Sequence, residues 1–497
     1  MSREWSPSSW RGLPIAQASK LSCVLNKLKT LPPLVTPSEV NRRLRHQLST
    51  VQDNMAFLLH AGDCAESFEA CTHENITAKI GLILSFSLIL IWGARLPIVR
   101  IGRIAGQYAK PRSSGTEIID GREVLSFRGD NVNDISADNR TPNPERLLSA
   151  YFYSTTTLNY VRSLLSSGFA SLNHPRDWSL SHVRSPTLRA EFERVSEGLA
   201  DALDFSRTVG AEAEGSYENG GRRGVLGEVD FYTSHEGLML HYEEALTRFL
   251  PMPSSRLRRE RPDSHAYYNT SAHFIWVGDR TRQLDGAHIE YFRGIRNPIG
   301  VKVGPSMKSD ELIRLLDIVN PDRQSGKVTL ITRYGAAKVD QYLPAHIAAV
   351  RQSGHPVIWV CDPMHGNTQV SNTTGHKTRH FSNIVRELTM CLAIHAECNS
   401  RLNGVSLEFT GEMNDEGFSV TECLGGSMEL VEDELPLRYQ TFCDPRLNFE
   451  QSLDLAFLVS NHFKNERKAG KREGDNRKGG DAVTSDVFLE LVERKQL

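Results

Sequence analysis

The sequence has no CxxC pair, and its eight cysteines follow no regular spacing. That excludes a zinc-finger pattern and a disulfide framework, and it favours a reducing compartment. Net charge is nearly absent as well. Lys+Arg 58 against Asp+Glu 60 leaves -2, so no overall field draws the chain to nucleic acid or to an anionic membrane. No apolar run spans a bilayer comfortably: the strongest, Ile80 to Trp92, is broken by serines and reads as a buried element. The N-terminus lacks the short apolar core of a secretion signal. Gly102-Arg103-Ile104-Ala105-Gly106 is not a dinucleotide fingerprint, no Walker-type loop occurs, and no serine sits in a nucleophile elbow. There is no internal repeat. What is left is a chain of 497 residues, 39% hydrophobic and 24% charged. That size and balance suit one large α/β barrel with insertions, or two or three smaller domains.

Short β-type apolar runs recur along it, each ending in Gly, Asp, Pro or a charged residue. They are Ala56–His60, Pro97–Ile101, Val229–Thr233, His273–Val277, Ile299–Val303, Val328–Thr332, Pro356–Cys361 and Val405–Phe409. Helix-length segments such as Ser309–Val319, Leu343–Gln352 and Phe381–Ser400 lie between most of them. Eight alternations predict an α/β fold of the (β/α)8 TIM-barrel type rather than an open sheet. The expected organisation is an N-terminal extension (1–55), a catalytic barrel (56–463) and a polar tail (464–497), solvent-facing or disordered from Asn465 to Asp481. Inserted helices and loops are expected at about 104–228 and 237–272. Within the extension, Ser38 and the Leu-spaced run to Val51 read as a capped surface helix.

In a barrel, the catalytic groups follow the C-terminal ends of the strands. Each expected strand end here offers a charged or metal-competent residue. Arg103, Lys110, Arg112, Arg280, Lys302 and Arg333 are six cations at one face of a nearly neutral chain. Guanidinium forks and ammonium groups suit phosphate and carboxylate oxygens, so the substrate is a multiply anionic phosphorylated acid, or two phosphorylated molecules. A second set, Cys64, His365 and Glu408 with Asp444 as an optional fourth, mixes sulfur, nitrogen and oxygen donors. Such a set suits Mn, Fe, Co or Zn, and an open coordination position would polarise an aldehyde oxygen. His376, Arg379 and His380 read as a polar loop.

These residues sit in long, specific motifs. Among them are Gly62-Asp63-Cys64-Ala65-Glu66-Ser67-Phe68, Gly102-Arg103 through Ser113, Phe127-Arg128-Gly129-Asp130-Asn131 and Arg280-Thr281-Arg282-Gln283-Leu284-Asp285-Gly286. Cys361-Asp362-Pro363-Met364-His365-Gly366-Asn367-Thr368, Thr421-Glu422-Cys423-Leu424-Gly425-Gly426 and Cys443-Asp444-Pro445-Arg446 complete the pattern. In them the chain resembles the class II (plant-type) 3-deoxy-D-arabino-heptulosonate 7-phosphate (DAHP) synthases, the first enzymes of the shikimate pathway to chorismate and the aromatic amino acids. The likeness runs from Trp5 to Phe463. It implies a transferase that joins phosphoenolpyruvate to erythrose 4-phosphate in an aldol-like step and releases phosphate.

The resemblance also implies roles. Cys64, His365, Glu408 and Asp444 would hold a divalent metal, Mn2+ first, with Co2+, Fe2+, Zn2+ or Cd2+ as alternatives. Arg103, Asp279, Arg280, Lys302 and Arg333 would bind phosphoenolpyruvate, and Lys110, Arg112 and Ser113 the phosphate of erythrose 4-phosphate. Lys302, Asp279 and His365 are the expected catalytic groups. An aromatic amino acid inhibitor, a homo-oligomer (dimer or tetramer) and a cytoplasmic home are expected too, since a family motif beginning at Trp5 leaves little room for a transit peptide.

The sequence departs from the family at three places. Asp279 stands where a glutamate is usual, Met413–Ser419 is a short insertion that reads as a lid or a tolerated loop, and Glu214–Arg223 is polar where regulatory helices are common. Two rival readings follow: a related synthase acting on another sugar aldehyde in a secondary pathway, or a silent ligand-binding paralogue.

Overall fold

The computed structural model describes residues 15–112, 114–119, 121–167, 169, 183–208, 229–253, 265–427, 430–441 and 443–475. Eight strands close into a barrel: β1 (Phe57–Gly62), β2 (Ile98–Arg103), β5 (Tyr232–Glu236), β8 (Phe274–Val277), β9 (Ile299–Val303), β10 (Val328–Thr332), β11 (Ile358–Cys361) and β14 (Gly404–Glu408). The ring order is β1-β14-β11-β10-β9-β8-β5-β2, with every neighbouring pair parallel. Strands so placed are covered on both faces and read as continuous apolar runs. β1, β9, β10 and β14 are indeed buried along their whole length.

The third barrel strand differs from expectation. It spans Tyr232–Glu236, not Val229–Thr233, because the barrel interior there is polar. His60 contacts Ser234 (3.0 Å) and Ser406 (2.9 Å), and Ser234 donates to the Gly102 carbonyl. Ser234 is thus satisfied inside the barrel, while Thr233 and His235 bond His273 and Glu243 on the outer face, and a hydrophobicity reading skips such a run. His235 and Glu236 lie in the strand rather than after it.

The floor of the barrel comes from the extension. A single wide turn, Ser38–Leu44, leads into α2 (Arg45–Gln52). Leu44, Leu48 and Val51 join Leu58, Val99 and Ile358 of the strands in one apolar cluster. The expected surface helix is thus a plug. Its cap position is Pro37, with no side-chain bond, rather than Ser38.

Of the outer helices, α3 (His73–Ala94) is the most apolar, its first turn capped by Thr72 accepting from the Asn75 N–H (3.2 Å). It is long and apolar enough to cross a membrane, but 78% of its most apolar window is buried inside the protein. Its covers are α4 (Glu145–Ser166), α5 (Pro186–Thr208) and the C-terminal α11 (Phe449–Asp475). The polar segment from Asn465 does not leave the fold at once: α11 continues to Asp475, and Arg467 donates to the Gly93 carbonyl (2.6 Å). Asn465, Glu466 and Lys468 are exposed on its outer face. On the other side the wall is built by α7 (Ala287–Gly294), α8 (Ser309–Val319), α9 (Val339–Ser353) and α10 (Phe381–Glu397).

The first insertion also carries the hairpin β3 (Thr116–Ile119) and β4 (Arg122–Leu125). The second carries α6 (Leu240–Ala245) and the hairpin β6 (Thr247–Pro251) with β7 (His265–Asn269). N-terminal α1 (Ile15–Thr30) packs beside α4 and α6 over a separate apolar cluster. A last short hairpin pairs β12 (Gln369–Val370) with β13 (Lys377–Thr378). The insertion Met413–Ser419 is a tight turn bridged at its ends, and Phe418 lies 4.2 Å from the Arg184 guanidinium and 4.9 Å from that of Arg438. It is pinned down, in the manner of a tolerated loop. Glu214–Arg223 lies outside the described residues.

Candidate active site

At the C-terminal face of the barrel lies a cavity of about 550 Å3. Each strand delivers its residue by ending where it does. Arg103 closes β2, Lys302 sits one residue before the end of β9, and Glu408 closes β14. Cys64, Asp279, Arg333 and His365 stand just beyond β1, β8, β10 and β11. All of these line the cavity, as do Lys110, Arg112, Arg280 and Asp444. Ser113 lies outside the described residues.

The cations are held by carboxylates. Arg333 donates to Asp279 (3.0 Å) and to the His365 carbonyl (3.1 Å), and Asp279 accepts from Arg282 as well (3.0 Å). Arg103 reaches Glu408 (2.8 Å) and the Asp63 carbonyl (2.8 Å), with its guanidinium 5.0 Å from the Trp276 ring. Lys302 pairs with Asp362. Burial pulls the Lys302 ammonium down, and the Arg103 charge adds to this, so it parts with its proton more easily than a free lysine even with Asp362 beside it.

Lys110 is different. Its ammonium is buried and without a hydrogen-bond partner among the described residues. Burial would lower it, but Cys443, Cys64 and Asp444 outweigh that and keep it charged. A buried, unpartnered ammonium on a cavity wall is ready for an anion. Arg112 is paired with Glu117 of β3, which also holds Arg140 (2.7 Å).

The metal-type donors form two groups in the same cavity. The ligand atoms of Cys64, Cys443 and Asp444 lie within 4.8 Å of one another. His365 and Glu408 are 3.0 Å apart. The second ring nitrogen of His365 meets Asp362 at 2.7 Å, the carboxylate–imidazole pairing that orients histidine ligands. Burial opposes ionisation of Glu408, yet His365, Arg103 and Arg379 hold it well below the usual carboxylate range. Thiol, imidazole and two carboxylates fit a first-row divalent ion.

Sequence reasoning gave no role to several residues that the cavity collects. Arg379, expected in a polar loop, is fully buried and bonds Glu408 at 2.9 Å. Lys377 meets Asp444 at 2.8 Å. Glu236 faces Lys302, His365, Arg103 and Arg280; burial raises its carboxyl despite their charges. Its place after His235 at a strand end was the available signal. Cys443, whose place beside Asp444 suggests a reversible disulfide with Cys64, brings its sulfur within 4.8 Å of the Cys64 and Asp444 donor atoms.

With this geometry in view, the comparisons with known proteins are direct. The profile of the Class-II DAHP synthetase family matches residues 5–460. The chain is 51% identical over 487 residues to a phospho-2-dehydro-3-deoxyheptonate aldolase of Neurospora crassa, covering 95% of this chain and 97% of that one. To the protein of the same name from Streptomyces coelicolor it is 40% identical over 472 residues, 93% of this chain and 98% of the other. Among solved structures, a truncated 3-deoxy-D-arabino-heptulosonate 7-phosphate synthase from Thermotoga maritima matches with 10% identity and a TM-score of 0.31, over 84% of this chain and 89% of that one.

Proposed function

Because the chain belongs to the class-II DAHP synthetase family, we propose that its barrel mouth joins phosphoenolpyruvate to erythrose 4-phosphate, with water added and phosphate released. This is DAHP synthase chemistry, the opening reaction of aromatic amino acid biosynthesis. One observation carries the reading of the site: six phosphate-seeking cations and four metal-type donors share one cavity.

Arg103, Arg280, Lys302 and Arg333 bind phosphoenolpyruvate, and the Asp279 carboxylate fixes the Arg333 fork. Asp279 grips both Arg282 and Arg333, so the shorter acid still assembles the clamp, which favours an active enzyme over a silent paralogue. Lys110 takes the phosphate of the aldehyde substrate, joined by Arg112 and Ser113. When Arg112 turns to that phosphate, Arg140 still compensates Glu117.

Cys64, His365, Glu408 and Asp444 hold a divalent ion, Mn2+ by preference, which when bound supplies Lewis acidity toward the aldehyde oxygen. The enol carbon C3 then bonds to the aldehyde carbon. Water adds at C2, and the C–O bond to phosphate breaks. The proton lost by that water passes to Glu236, whose raised carboxyl makes it a stronger base than an ordinary carboxylate, while the aldehyde oxygen takes one up to become the new hydroxyl. Preorganised cations stabilise the moving negative charge without reorganising.

All eight cysteines are free, which agrees with a cytoplasmic home. An aromatic amino acid inhibitor and a dimer or tetramer belong to the same reading.

The test is a phosphate-release assay with both substrates, run after chelation and readdition of a metal series. Release should require both substrates and a divalent ion. Cys64→Ala should abolish it at every metal concentration. Full activity of that variant, or of the chelated protein, would refute the ligand assignment.

A further inference from the structure

Glu387, in the middle of α10, is fully buried and has no ion-pair partner among the described residues. Burying a carboxylate without a cation costs stability, and an apolar side chain would fill the same space at lower cost. What it does instead is accept hydrogen bonds from two loops. One oxygen accepts from the backbone N–H groups of Tyr334 (2.9 Å) and Gly335 (2.8 Å), directly after Arg333. The other accepts from the Asn367 side-chain amide (2.7 Å), two residues after His365.

Asn367 completes the tie. Its amide also donates to the Pro363 carbonyl (2.8 Å), and its oxygen accepts from the Ala336 N–H (3.0 Å). The loops then touch backbone to backbone. A Cβ on Gly366 would lie 2.3 Å from the Gly335 nitrogen, and Arg333 donates to the His365 carbonyl (3.1 Å). Apart from the Asn367–Pro363 bond, which lies within the loop after β11, every hydrogen bond in this knot joins that loop to the loop after β10 or fastens one of them to α10.

We propose that Glu387 is a positioning residue that sets the spacing between the substrate-clamping Arg333 and the metal-binding His365. This rests on the roles given to those two residues above. A carboxylate is needed because it accepts on both oxygens. A glutamine keeps one acceptor but turns an N–H2 group toward the N–H2 of Asn367. Both loops would then relax together.

The experiment compares Glu387→Gln, Asn367→Ala and the double variant Glu387→Gln/Asn367→Asp with the parent enzyme. Readouts are steady-state kinetics for each substrate and calorimetric titration of the metal-stripped protein with Mn2+. In Glu387→Gln, the KM for phosphoenolpyruvate and the Mn2+ dissociation constant should rise together, each roughly tenfold, as expected when a group orienting a ligand is lost. The KM for erythrose 4-phosphate should stay where it was. The double variant restores the donor–acceptor match at residue 387, with the charge moved to residue 367, but gives up the bond to the Pro363 carbonyl, so it should recover part of both losses. If Glu387→Gln does not fold, Asn367→Ala, at a half-buried position, carries the same readouts.

A lower Tm with unchanged phosphoenolpyruvate KM and Mn2+ affinity would overturn the proposal. So would a double variant no better than the single one. Arg333→Ala and His365→Ala are the controls. If either leaves its own readout unmoved, the reading of the site falls and takes this proposal with it. If both respond and the Glu387 and Asn367 variants do not, the positioning role alone is wrong.

Discussion

At the scale of single residues, the site pairs the clamping Arg103 and Arg333 with carboxylates and leaves the Lys110 ammonium open. Asp279 shows the logic. Its two oxygens separately hold Arg282 and Arg333 at 3.0 Å each, so it acts on the substrate through a guanidinium rather than directly. Asp279→Asn removes the charge from two partly exposed charge-assisted bonds. The phosphoenolpyruvate KM should rise about tenfold, the equivalent of roughly 1.5 kcal/mol, with little change in the KM for the aldehyde. Initial-rate kinetics with each substrate varied in turn would check this; an equal rise in both would mean that Asp279 does more than hold Arg333. The ring of cations was legible in the sequence because a barrel places each one beside a strand end that the apolar pattern marks. Glu387 was not. Beside Arg386 in a helix it looks like any surface acid, and its partners arrive from loops more than a dozen residues away in the chain.

At the scale of elements, the outer layer depends on one close helix crossing. Gly93 of α3 faces Ser460 of α11, and a Cβ there would lie 1.8 Å from the serine hydroxyl oxygen and 2.7 Å from its carbonyl. The backbone contact cannot be relieved by a change of rotamer. Gly93→Ala should therefore cost about 1–3 kcal/mol by overpacking, seen as a lower denaturant midpoint, while Gly294→Ala, where nothing lies within 4 Å, should not. Strand positions were readable wherever both faces were apolar, as in β9 and β10. They slipped at β5, where Ser234 bonds inside the barrel and Thr233 and His235 bond His273 and Glu243 on its outer face. The continuation of α11 past Asn465 was also hidden, since a helix with only one covered face has the composition of a solvated tail.

At the scale of the whole molecule, a buried amine at the barrel floor couples stability to pH. Lys327 donates to the carbonyls of Ile295 (2.6 Å) and Asn297 (2.7 Å), with no carboxylate paired to it among the described residues. Burial first, then Arg45 and Arg296, pull it down from 10.5 to about 7. The folded protein releases this proton before the unfolded chain does. Below pH 7 both states are charged and the cost of burying the charge is present in full; between 7 and 10.5 that cost is relieved. Relative to Lys327→Met, the parent enzyme should gain stability across that window. Denaturant midpoints of the two proteins at pH 7, 8.5 and 10 would show it, and a constant difference would count against it.

The clasp between α3 and α11 has a consequence for synthesis. The apolar helix leaves the ribosome early, near residue 94, whereas α11, the last of its three covers, begins only at Phe449. At usual elongation rates the growing chain carries an incompletely covered apolar segment for about 20 to 70 seconds. Throughout that interval, nascent-chain chaperones and lipid compete for a surface that the finished enzyme never shows.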